Sequence, residues 1–274
     1  MKALIKQPGL APKMTEVLVP AENVIIKVLT VGICRTDSRV VDGTIPVEKP
    51  TVLGHEFCGI AQNGKYAGQR VAVDPLINGL FMGVDIDGAL SEFTAVPEEN
   101  VFPVGNNLAD EEAAYLEPIA ASMAVTKSSA TKEMVGGIFG VGRIAELTKL
   151  ILQTEGYNIE YLQPGIQYDY VIETGPADLT PAVEALRPKG LLIIKSRGRT
   201  ATIPLGTMVA KELRAEAVAY APYPEAVKWL EANASLLRPF IGETFPFNSA
   251  MLAFETAKTT ESVKTFIRVG QRDT

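Results

Sequence analysis

A few side chains in the first half of the chain have the chemistry of metal donors. Cys34 sits in Gly32-Ile33-Cys34-Arg35-Thr36-Asp37, His55 and Glu56 adjoin in Gly54-His55-Glu56, and Glu117 falls in Leu116-Glu117-Pro118. A thiolate, an imidazole and carboxylates are the donors zinc takes in proteins. His55 is the one histidine of 274 residues, so any imidazole chemistry must use it. Taken singly, a lone histidine also reads as a packed or surface imidazole, and Glu117 as a solvated carboxylate. A second candidate lies in Gly140-Val141-Gly142-Arg143-Ile144-Ala145, between a strand-like run and a helical pattern. In that setting glycines admit a pyrophosphate to a helix N-terminus.

The elements that must position these residues change character along the chain. Up to about residue 110 the pattern is β, with strands expected over 24–31, 69–74 and 89–96 and Gly or Pro between them. Residues 111–128 read as a helix that Pro118 interrupts or kinks. From 133 the pattern alternates: strand 133–139, helix to about 155, strands 157–162 and 168–173, helix 179–186, strand 190–195. Such alternation predicts a parallel, doubly wound sheet. A helix over 249–258 and a strand over 263–269 close the chain. Residues 164–167 leave little room between two strands, because a parallel crossover needs about a dozen residues or more.

Bulk properties exclude several classes. A formal net charge of −6 argues against nucleic acid or anionic membrane as a partner. Two cysteines make no disulfide framework, and no apolar run has signal-peptide or membrane-spanning length. A cytoplasmic location is the expectation. Cys58 reads as a small buried residue without a companion thiol.

Together with Gln69-Arg-Val-Ala-Val-Asp74 and Asp87-Gly-Ala-Leu-Ser-Glu-Phe93, these motifs resemble, in their order, the zinc-dependent medium-chain dehydrogenases. That family contains alcohol, sorbitol and threonine dehydrogenases, and the resemblance spans nearly the whole chain. It implies an α/β protein: a GroES-like β-barrel catalytic domain over 1–123 and 242–274, enclosing a truncated Rossmann-type nucleotide-binding domain over 124–241. It implies one catalytic zinc on Cys34, His55 and Glu117, with Glu56 an alternative ligand or a neighbouring carboxylate; an extended 54–59 would point His55 and Glu56 to opposite faces. The resemblance further makes Thr36 the hydroxyl that carries the alcohol proton away, Asp37 an orienting group and Arg35 a pyrophosphate contact. Gly140, Gly142, Arg143 and Ile144 would meet the pyrophosphate, and Gln163 would stand at the adenosine ribose. The cofactor is NAD or NADP, with NAD preferred because no Arg or Lys follows Gln163 directly.

Two departures from the family pattern are visible. After Asp74-Pro75 most relatives carry a four-cysteine lobe for a structural zinc; residues 76–83 contain no cysteine, so no structural zinc is expected. The segment after Gln163 lacks a helix and a strand. The expected function is interconversion of an alcohol or polyol with a carbonyl compound by hydride exchange with NAD(P). The alternatives are a zinc enzyme of lyase or isomerase type, or a binding or assembly protein that has lost catalysis. The expected partners are a small alcohol or carbonyl substrate and other copies of the chain, as a homodimer or homotetramer paired along residues 213–220.

Overall fold

In the computed structural model, residues 1–196, 200–260 and 262–272 are described, and they form two compact units. The first comprises Met1–Glu117 and Tyr223–Thr274, the second Pro118–Pro222. Among the described residues no helix is long and apolar enough to cross a membrane.

The first unit is organised on the nine-residue strand Val24–Gly32, whose β-branched, apolar run suits a strand buried on both faces. Glu56–Ala61 pairs antiparallel along one of its edges; Phe93–Val96 and then Lys264–Arg268 pair along the other. Arg70–Val73 and Val101–Pro103 extend the sheet beyond Glu56–Ala61, and Ile241–Pro246 extends it beyond Lys264–Arg268. Ile26, Val28, Phe57, Val71 and Phe254 fill the core. Register matters here: Gly32 lies opposite Glu56 on one side and Phe266 on the other, and Ile33 N–H bonds to Thr265 O at 2.9 Å. The end of Val24–Gly32 and the start of Glu56–Ala61 therefore lie side by side next to Lys264–Arg268, and Cys34 follows two residues after Gly32. A smaller sheet joins Lys2–Lys6 to Lys13–Glu16 and Thr51–Val52.

Where relatives of the resembled family carry a cysteine lobe, the chain makes a tight hairpin. Leu76 pairs with Phe81 and Ile77 with Leu80, across Asn78 and Gly79 at φ 51° and 82°. Two consecutive left-handed residues are the turn that matches the twist of a two-residue hairpin.

The second unit is a five-stranded, wholly parallel sheet in the order Asn158–Tyr161, Val135–Phe139, Tyr168–Glu173, Leu186–Ile194, Arg214–Ala217. Helix Arg143–Thr154 covers one face through Ala145 and Leu152, which pack with Ile138, Ile172 and Ile193. Thr180–Glu184 and Leu205–Ala210 cover the other through Val183 and Met208. The expected doubly wound pattern is present. Arg214–Ala217 forms an outer edge, as expected of residues 213–220.

The short crossover is resolved by rearrangement at the opposite edge, beside Asn158–Tyr161. Asn158–Tyr161 and Tyr168–Glu173 flank Val135–Phe139 on opposite sides, joined by residues 162–167 without a helix. Returning along a four-residue strand and across two strand spacings needs roughly 16 Å, and the connection can reach about 23 Å when extended. Two features let it lie flat. Tyr168 Oη accepts the Gln163 N–H at 2.9 Å and donates to Tyr161 O at 3.3 Å. Gly137 presents no side chain where Leu162 Cδ2 lies 2.4 Å, and Tyr168 Cδ1 3.0 Å, from the place a Cβ would take.

Three boundaries differ from the sequence reading. The units divide at 117/118 and 222/223 instead of 123/124 and 241/242. Residues 223–241 belong with the first unit because Tyr223 stacks on Phe102, ring centroids 5.1 Å apart, and Tyr115 donates to Phe240 O at 2.9 Å. Residues from 118 belong with the second, where Ala221 N–H bonds to Ala120 O at 2.9 Å. The helix expected over 111–128 is instead Asp110–Ala113, Leu116–Met123 and a 3₁₀ turn Ala124–Lys127. Pro118 sits in the first turn of the middle piece, where no intrahelical donor is lost.

Gly136 faces the fully buried Tyr170 ring, 2.2 Å from where a Cβ would stand. Gly136→Ala should cost about 1–3 kcal/mol by overpacking. Gly206→Ala, in a helix with open space around it, should be neutral or stabilising. Urea unfolding of both variants checks this; equal stabilities would contradict the packing account.

Candidate metal centre

Cys34 is the N-cap of helix Arg35–Asp42, with extended backbone at φ −96° and ψ 160°. Its own N–H is taken by Asp37 Oδ2 at 2.9 Å, the backward half of a capping box. Gly43, left-handed at φ 83°, ends the helix. The other Asp37 oxygen, Oδ1, lies 3.0 Å from His55 Nδ1. Asp37 is only 1% exposed, and its contacts with both the Cys34 backbone and the His55 ring fix Nδ1 as the ring atom turned away from the cluster.

The donor atoms of Cys34, His55 and Glu56 all lie within 4.8 Å of one another. His55 and Glu56 are buried and Cys34 half-buried. Glu56 Oε1 is 4.0 Å from His55 Nε2, while Oε2 pairs with Nζ of Lys264, a fully buried lysine that also stands over the Tyr115 ring at 5.4 Å. Burial of His55 disfavours the imidazolium, but the charge and hydrogen bond of Asp37, with Cys34 adding to them, raise its pKa well above the ordinary value. Sulfur, imidazole nitrogen and carboxylate oxygen converging in one buried place are a donor set that fits zinc.

The other residues singled out in the sequence fall as follows. Thr36 is half-buried and Arg35 exposed, both in the first turn after Cys34. Glu117 is buried in helix Leu116–Met123 but lies outside the cluster, whereas Glu56 lies inside it. Both carboxylates stay candidates for the third ligand, with Glu56 the nearer to Cys34 and His55. The alternation argument fails because the strand begins at Glu56, after Gly54 at φ 91°, so His55 is not a strand residue. Cys58 is buried, its thiol donating to Asp110 O at 3.2 Å, and burial pushes its pKa up.

In the second unit, Gly140 and Gly142 have φ of 132° and 91°, and Gly142 caps the helix that Arg143 and Ile144 begin. A Cβ on Gly140 would stand 2.2 Å from Thr174 Oγ1, so the turn admits no side chain there. Gln163 is exposed just past the strand Asn158–Tyr161, its backbone held by Tyr168. Glu160 is engaged by Lys149 at 2.7 Å and Gln153 at 3.0 Å.

Comparison with known proteins agrees with this layout. Residues 20–106 match the family model described as the alcohol dehydrogenase GroES-like domain. The chain is 31% identical over 184 residues to the starvation-sensing protein RspB of Escherichia coli (strain K12), covering 57% of this chain and 54% of RspB. It is 31% identical over 192 residues to an L-threonine 3-dehydrogenase of Rhizobium rhizogenes, again covering 57% and 54%. The match thus spans about half the length of these curated relatives. In fold it resembles the crystal structure of a short chain alcohol dehydrogenase (rspB) of Escherichia coli CFT073 complexed with NADH. The TM-score is 0.86, the identity 20%, and 98% of this chain and 99% of that one are covered. Residues 20–106 thus match a GroES-like domain, and the fold is an α/β combination of that domain with a Rossmann-like parallel sheet, as in the structure just named.

Asp37 and Lys264 lie outside the three-residue donor cluster yet hold its members in place. Asp37 is signalled by its place three residues after Cys34; Lys264 has no local signal, since its partner is 208 positions away. Asp37→Ala frees the His55 ring and the Cys34 N–H together. Zinc affinity should fall about 10- to 100-fold, read by competition with a chromogenic chelator, and an unchanged affinity would contradict the orienting role.

Proposed function

We propose that this protein is a zinc-dependent oxidoreductase that interconverts an alcohol or polyol and a carbonyl compound by hydride transfer to or from NAD(P). The observation that carries this reading is the buried convergence of Cys34, His55 and Glu56. The dehydrogenases among its relatives support it.

Cys34 and His55 would hold the zinc, with Glu56 the nearer and Glu117 the further candidate for a third ligand. A zinc ion supplies a Lewis acid that polarises a carbonyl and lowers the pKa of a hydroxyl. NAD(P) supplies the hydride donor or acceptor, and the protein's share of the work is orientation. Asp37 keeps His55 Nδ1 occupied, so that Nε2 is the ring atom offered to the cluster. Thr36 Oγ1, two residues beyond Cys34, would move the alcohol proton outward. The chain has no second imidazole to receive that proton. The N-terminus of Arg143–Thr154, opened by Gly140 and Gly142, would hold the pyrophosphate through backbone N–H groups and the helix dipole.

A second reading, non-redox zinc chemistry, is favoured by one observation. Glu160 is committed to Lys149 and Gln153, which leaves the exposed Gln163 as the polar side chain at the strand end where an adenosine ribose would be recognised. Calorimetric titration of the zinc-loaded protein with NAD and NADP separates the two: binding of either supports hydride exchange, and binding of neither favours the second. Cys34→Ser should lose most bound zinc and with it the alcohol-oxidising activity. Parent-level activity in a zinc-free variant would end both readings.

The same reading makes the protein a homodimer or homotetramer joined along the edge strand Arg214–Ala217.

A further inference from the structure

His55 is constrained in two directions, and Asp37 accounts for only one. The hydrogen bond to Nδ1 places one ring atom but leaves rotation about the Nδ1···Oδ1 line, and the last torsion of a histidine is intrinsically broad. The second constraint comes from the hairpin. The Phe81 ring lies against the His55 ring with centroids 4.8 Å apart and planes inclined at 55°, a tilted arrangement that aromatic pairs favour.

Phe81 is itself closely fixed. Its N–H donates to Asp85 Oδ2 at 2.8 Å, and its carbonyl accepts from Asp85 N–H at 2.9 Å. Next to it, Met82 is fully buried and its N–H donates to Pro75 O at 3.0 Å. The segment then lies backbone to backbone on the residue that precedes His55. A Cβ on Gly83 would stand 2.9 Å from Gly54 N, and one on Gly88 2.1 Å from Gly54 O. The hairpin is thus registered to the histidine's own backbone, and the ring contact follows from that registration.

We infer that Phe81 is a positioning residue for His55: it holds the plane of the imidazole so that Nε2 faces Cys34 and Glu56. The consequence for metal retention rests on the zinc reading above; the orientation itself does not.

The single histidine makes the test direct, because ¹⁵N-histidine labelling yields the ring spectrum of His55 alone. In metal-free parent protein one sharp set of ring signals is expected. Phe81→Ala should broaden or double that set and Phe81→Tyr should restore it, while Leu80→Ala, on the same hairpin, should leave it unchanged. Cobalt(II) serves as the metal probe: Phe81→Ala should weaken its Kd about 2- to 12-fold and alter its visible absorption, with Phe81→Tyr again restoring both. A parent-like ring spectrum in Phe81→Ala overturns the inference, and so does an unchanged cobalt Kd where the parent binds cobalt, whatever happens to Tm. A parent that binds no cobalt removes the metal reading instead, and the ring spectrum then decides the inference by itself.

Discussion

The Asp37 carboxylate bonds in two directions at once, to the Cys34 N–H at 2.9 Å and to His55 Nδ1 at 3.0 Å. Most of the first unit can be understood from what that requires. Asp37 must be in the first turn of a helix, so the helix must start at Cys34. Cys34 must follow a strand that ends beside the start of Glu56–Ala61, which the pairing of Gly32 with Glu56 provides. Burial then strengthens both bonds and makes an unpaired partner costly. The same low-dielectric setting explains Lys264. A carboxylate as buried as Glu56 needs a cation or a metal beside it, and the strand Lys264–Arg268 delivers one from the far end of the chain.

Sequence made some of this legible and some not, for physical reasons. Cys34, His55 and the glycine turn at 140–142 were visible because their chemistry needs particular residue types at the ends of elements. Asp37 was legible as an orienting group through the resemblance, and its two hydrogen bonds give that role a geometry. The nearness of Glu56 to Cys34 and His55 was not, because it depends on where the strand starts, at Glu56 and after His55. Lys264 and Phe81 act through contacts 208 and 26 positions distant in sequence, beyond any periodicity. The boundary near residue 223 was missed for a similar reason: the helix Tyr223–Asn233 continues a nucleotide-domain pattern in sequence, yet its first aromatic stacks on Phe102.

The two places where the chain is shorter than the family pattern are handled by one device. At 76–88 a two-residue turn replaces a lobe, and its return path rests directly on Gly54 because Gly83 and Gly88 have no Cβ. At 162–167 an extended crossover replaces a helix and a strand, and it crosses Val135–Phe139 where Gly137 has no Cβ. In the hairpin the approach is backbone on backbone, and at Gly137 the side chains of Leu162 and Tyr168 fill the place of a Cβ; glycine makes room in both. The hydrogen bonds that would otherwise be orphaned are met nearby, by Pro75 O for Met82 and by Tyr168 Oη for Gln163.

The consequences of the two reductions differ, because they fall on different parts of the chemistry. The hairpin lies against His55 and adds a ring contact to it. The crossover lies at the sheet edge that ends in Tyr161 and Gln163, and there the available acid, Glu160, is already satisfied by Lys149 and Gln153. A hydroxyl-bearing ligand at that edge would meet an exposed amide in place of a charged acceptor, and neutral hydrogen bonds are about half as strong as charge-assisted ones. The glycine turn and helix N-terminus beside it are untouched, and they bind through backbone N–H groups that no side-chain substitution removes. A nucleotide bound to this unit would therefore be held mainly by its phosphates, with less of the recognition resting on the adenosine.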